Sequence, residues 1–200
     1  MKATSVRSAR YTTKFIVRTG LMAAVCFAAT YIHIQFSISG AGGNTMIHLG
    51  SAAGFLAAML FGPLAGGLAG GIGMGLFDLL GGWATTAPWT LVIKFAAGFA
   101  VGKIAWGNGH HGDDQRRNLI ACLVGGLINL VGYTIQKFLT TWIVFFSPNG
   151  TYFGNTLKAA LLAAGSEAVG SILTTLLAVI IAVPFNDSIR KALKGGNLLD

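Results

Sequence analysis

Charge is what this sequence has least of. Only 10% of its 200 residues are Asp, Glu, Lys or Arg, against about 25% in a soluble domain. Acid is scarcer still, with 6 Asp and Glu beside 14 Lys and Arg. With 54% hydrophobic residues and a mean hydropathy of +0.68, such a chain cannot cover a water-facing surface. A soluble globule is excluded, and an all-α integral membrane protein is expected. Cysteine is rare too: Cys26 and Cys122 lie far apart within apolar runs, so each reads as core filler. No metal-ligand or redox spacing is present. The sequence also lacks HExxH, GxSxG and paired catalytic carboxylates. GFAVGKI at 98–104 is one residue short of a phosphate-binding loop and lacks its Ser or Thr. Neither an enzyme nor ATP hydrolysis is expected, and no cofactor is called for.

What is there is a set of apolar runs. A helix needs about 20 apolar residues to cross a bilayer, and six runs fit: about 15–36, 47–61, 64–82, 88–106, 118–146 and 155–183. They form one membrane domain, since no segment reads as a linker. The net charge of +8 would suggest nucleic acid in a soluble protein, but its placement does not. Lys2, Arg7, Arg10, Lys14 and Arg18 crowd the N-terminus, Arg116 and Arg117 share one loop, and Arg190, Lys191 and Lys194 follow the last run. That is a positive-inside pattern, which puts both termini in the cytosol and leaves no nucleic-acid surface. The basic front of the first run could pass for a secretory signal, but YIHIQF and the five later runs favour a retained span. In the loop WGNGHHGDDQRRN, adjacent His110, His111, Asp113 and Asp114 read as solvated residues, and no metal site is expected.

The stretch from Ile47 to Lys94 organises the rest. Gly62-Pro63 and GGWATTAPW each turn the chain, and LAGGLAGGIGMG supplies overlapping GxxxG spacings for close helix packing or a sliding face. Asp78 lies about 6 Å from the outer end of its run and Lys94 about 9 Å into the next, so the two are placed to meet across the turn. Ionisable groups at that depth are costly and point to a site; a structural ion pair is the alternative. The fifth run carries Asn129, Tyr133, Gln136, Lys137 and Thr140 in steps that put most of them on one face. Glu167, Ser171 and Thr174 form a shorter stripe on the sixth, where Glu167 either neutralises Lys137 or bonds a ligand. Trp83 and Trp89 bracket the turn and are placed to stack on a planar ligand, whereas Trp142 and Tyr152 suit an interfacial belt. His48 opens a helix after the glycine-rich loop 37–47, which is expected outside. Lys158 snorkels, and Pro184 is expected to close the last helix.

Ala24 and Ala28 form a small-xxx-small pair on the first run. Together with IHLG at 47–50, FGPLAGGLAGGIG at 61–73, Asp78, APWTLVIK at 87–94 and AVPFN at 182–186, they make the chain resemble the S components of energy-coupling factor (ECF) vitamin transporters. The likeness is greatest to the riboflavin, hydroxymethylpyrimidine and pyridoxine branch. The resemblance implies a vitamin-binding membrane subunit that joins a membrane scaffold, the T component, and two ATPase subunits. It implies docking through Ala24 and Ala28, a lid at 37–47 and a ligand site toward the outer leaflet. The expected ligand is a vitamin B6 compound, with hydroxymethylpyrimidine or riboflavin as alternatives. A stand-alone secondary carrier is the reading of another class, weakened by the lack of an internal repeat.

Overall fold

The structure is a computed structural model that describes residues 13–36, 44–145 and 153–195. Helix α1 (Thr13–Thr30) stops well before residue 36. Its last turn closes on itself as the Thr30 hydroxyl donates to the Cys26 carbonyl at 2.6 Å. The chain then forms β1 (His33–Phe36), which pairs antiparallel with β2 (Thr45–His48), His33 facing His48 and Phe36 facing Thr45. The first run was expected to be helical to its end. The alternation His-Ile-Gln-Phe has the period of a strand and explains the difference. Most of the expected lid, residues 37–43, lies outside the described residues, as does Tyr152.

Helix α2 (Gly50–Phe61) has 12 residues, about 18 Å at 1.5 Å per residue, too short for a bilayer core of about 30 Å. It is buried along nearly its whole length and packs against α1, α3, α4 and α6. Gly62 takes a φ of +89°, a region open to glycine, and Pro63 starts α3 (Pro63–Leu80) at a position that needs no N–H. Helices α4 (Ala87–Ala105), α5 (Gln115–Phe145) and α6 (Phe153–Gly195) follow, with a 3₁₀ turn at Gly107–Gly109 between α4 and α5. Among the described residues, five helices are long and apolar enough to cross a membrane. They carry exposed Ile16, Leu80, Val92, Leu127 and Ile180, as a lipid-facing surface requires.

The glycines of α3 let three helices approach at once. A side chain at Gly73 would meet the Ala23 carbonyl of α1 at 2.3 Å, one at Gly66 would meet Ala58 of α2, and one at Gly71 the Leu91 carbonyl of α4 at 2.8 Å. Close packing is therefore what this stretch does. Pro184, expected to end the last helix, sits inside α6. The helix continues because its far part is tied down: Asn186 donates to the Gly112 carbonyl at 2.9 Å, and Arg190 to Asp113 at 2.6 Å and the Met59 carbonyl at 3.2 Å. Neighbouring bonds of this kind hold a proline-containing helix together.

Candidate functional site

Because α2 is short, the opposite end of the bundle has room between the long helices, and the hairpin β1–β2 lies there. A cavity enclosing about 670 Å³ of empty space, its open mouth included, occupies this end. Seven parts of the chain line it: Thr30 of α1; Asn44, Thr45, Met46 and His48 at β2; Met74 and Asp78 of α3; Trp83 and Thr86 in the turn; Thr90 and Lys94 of α4; and side chains of α5 and α6. From α5 come Asn129, Tyr133, Gln136 and Lys137, at helical steps of four, three and one; from α6 come Glu167, Ser171 and Thr174.

Asp78 and Lys94 are 3% and 5% exposed. Both line the cavity, yet the direct ion pair placed between them by their depths is absent: among the described residues neither lies within 4 Å of an opposite charge. The Asp78 Oδ2 accepts the Thr86 hydroxyl at 3.0 Å and also that of Thr90. Lys94 Nζ donates to Ser51 Oγ at 2.8 Å and stands 4.9 Å from the centre of the Tyr133 ring, a cation–π distance. Tyr133 in turn donates its hydroxyl to Thr90 at 3.1 Å. The physical reason is visible in the spacing. Thr86, Thr90 and Lys94 follow at i, i+4 and i+8, so two hydroxyls share the lysine's face and reach Asp78 first.

On the other wall Lys137 donates to the Asn44 carbonyl at 2.9 Å, and Thr174 donates to the Met46 carbonyl at 3.3 Å, which fastens β2 to α5 and α6. Lys137 and Glu167 form no ion pair within 4 Å. Nδ1 of His48 and Oδ1 of Asn129 are among the buried atoms of cavity-lining residues that have no hydrogen-bond partner among the described residues.

The structure brings together His48, Asp78, Trp83, Lys94, Asn129, Tyr133, Lys137 and Glu167. It does not bring in Trp89, which is 41% exposed on the outer face of α4 and lines no part of the cavity. Trp89 follows Pro88 at the start of α4, one residue before inward-facing Thr90, and this turns its ring away. Thr140 also falls outside, its hydroxyl donating to the Gln136 carbonyl at 2.9 Å. Sequence reasoning missed Ser51, Thr86 and Thr90, although the four-residue spacing of the last two from Lys94 was there to be read. Among the described residues, no cluster of His, Cys, Asp and Glu has the makings of a metal site.

Ala24 and Ala28 stand away from the cavity on the exposed side of α1, in line with Gly20, where an added Cβ would meet nothing within 4 Å. No curated protein matches the sequence. Among solved structures, the S component of a bacterial ECF transporter shares the fold, with a TM-score of 0.60 at 14% identity over 90% of this chain and 98% of that one. The family model for the S component of ECF-type riboflavin transporters matches residues 10–191. The chain therefore belongs to the ECF-type riboflavin transporter S component family, as a multi-pass, predominantly helical membrane protein.

Proposed function

We propose that the cavity is a vitamin-binding site and that the chain is the substrate-capturing subunit of an ECF importer. One observation carries this reading. In a chain almost without charge, Asp78, Lys94, Lys137 and Glu167 converge from four helices on one cavity. Intramembrane ionisable groups gathered in this way mark a substrate path. The preferred ligand is a single-ring, pyridoxine-like compound. Among the described residues, Met46, Met74, Trp83 and Tyr133 give the cavity apolar and aromatic lining beside Thr, Asn, Gln and charged groups, enough to hold one ring with polar substituents. Riboflavin is the second reading, favoured by the family's own description.

In this role the N-terminus is cytosolic, the hairpin end opens outward, and the Gly20, Ala24, Ala28 stripe of α1 meets a helix of the scaffold subunit, which brings the two ATPases. Small residues at every fourth position allow close helix contact in lipid. Replacing both Ala24 and Ala28 with Trp should abolish uptake and assembly while leaving ligand binding by the purified subunit intact. Lost binding with intact assembly would contradict the docking role. Mass spectrometry of small molecules released from the purified, denatured protein tests the site itself. A pyridoxine-class compound is expected. Absence of any vitamin, together with no heat on titration with pyridoxine, hydroxymethylpyrimidine or riboflavin, would overturn the proposal.

A further inference from the structure

Asp78 and Lys94 face this cavity without a direct ion pair. Asp78 has hydroxyls for partners, and both bonds fall on Oδ2, so Oδ1 keeps its capacity to accept. Lys94 uses one N–H on Ser51 and turns its charge toward the Tyr133 ring, which leaves donors on a group that has three. Thr90 and Tyr133 bridge from one to the other through neutral groups. Partners of this type fix where a charged head points but do not cancel its charge. In a buried setting an uncompensated charge is costly, and a direct pair is the usual remedy. Here the acid and the base face one cavity and forgo that remedy.

A cationic ligand would be attracted by Asp78 and repelled by Lys94; an anionic ligand would meet the reverse. An uncharged ligand would desolvate both and compensate neither. A ligand that carries both a positive and a negative group satisfies both at once. We infer that the site takes a dipolar heterocycle, whose anionic ring oxygen meets Lys94 and whose protonated ring nitrogen meets Asp78. The 3-hydroxypyridines have this character, since the phenolic proton can move to the ring nitrogen. The inference rests on the vitamin-binding reading and narrows its substrate class. The unpartnered Oδ1 of Asn129 adds an acceptor for a hydroxymethyl group on the same ring.

The test uses the purified full-length protein in detergent with three probes: pyridoxine, 3-deoxypyridoxine and riboflavin. The neutral and dipolar forms of pyridoxine differ in ultraviolet absorption, so the bound form can be read directly. Bound pyridoxine is expected to absorb as the dipolar form. 3-Deoxypyridoxine is expected to bind at least about tenfold more weakly, the scale of one lost charged hydrogen bond. In Lys94→Met the two pyridines should bind alike. Pyridoxine bound in its neutral form, or equal affinity for the deoxy compound in the unaltered protein, would overturn the dipolar assignment alone. Tight binding of riboflavin with none of pyridoxine would also overturn it, leaving the vitamin-binding reading in place. No binding of any of the three, with none of hydroxymethylpyrimidine either, would overturn both.

Discussion

At the loop end of the bundle, the side opposite the hairpin, Arg190 is held directly by Asp113, and Asn118 and Asn186 both donate at 2.9 Å to the carbonyl of Gly112. Trp106, at the end of α4, donates its indole N–H at 2.9 Å to the carbonyl of Met59, which also accepts from Arg190, so the ends of α2 and α4 are tied to α6. At the hairpin end, Asp78 and Lys94 are both buried, unlike the half-exposed Asp113; they are held by Thr86, Thr90 and Ser51, and they face a cavity. The contrast separates two uses of buried polarity. A charge given its countercharge clamps helices together. A charge given only hydroxyls is oriented, and its remaining valence is available to something that enters the cavity.

Substitutions at the two ends should therefore separate stability from binding. The largest effect is expected at Gly112, where φ is +82° and an added Cβ would come within 2.2 Å of the Met59 carbonyl. Gly112→Ala should cost about 3 kcal/mol from backbone strain and overlap, seen as a lower midpoint of thermal unfolding in detergent. The protein that remains folded should bind ligand with unchanged affinity. A weakened affinity at unchanged stability would break the comparison. Thr90→Val at the hairpin end removes a donor to Asp78 and the acceptor of Tyr133. It should weaken ligand binding by about 1–2 kcal/mol, the range of a bond to a charged group in a positioning role, as measured by calorimetric titration. Trp89→Ala should alter both binding and stability by less than about 0.5 kcal/mol, as exposed positions do; a larger loss of affinity would return Trp89 to the site.

Much of this arrangement was legible in the sequence because a membrane chain makes polar residues conspicuous. Asp78, Lys94 and the stripe Asn129, Tyr133 and Lys137 stood out against apolar neighbours, and helical periodicity was enough to put the stripe on one face. The turn at Gly62-Pro63 was visible from two residues with strong backbone preferences. What stayed hidden depended on contacts distant in sequence. The hairpin needs β1 and β2 to find each other across residues 37–43, and short alternating segments beside a helical run are ambiguous. Pro184 read as a stop because its local rule says so, while the bonds from Asn186 and Arg190 that carry α6 onward reach residues more than 70 positions away. The depth estimate brought Asp78 and Lys94 to the same level but could not see that Thr90 and Ser51 would reach them first.

The most direct measurement is a calorimetric titration of the double variant Asp78→Asn with Lys94→Met, after thermal unfolding has shown it to be folded. Both substitutions remove charge together, so neither leaves a lone buried ion behind. If these side chains hold the ligand, the folded variant should lose about 2–5 kcal/mol of pyridoxine binding, the range for truncated desolvated charge contacts. A folded double variant that binds pyridoxine with the affinity of the unaltered protein would contradict the central claim, and would make the two groups part of the scaffold alone.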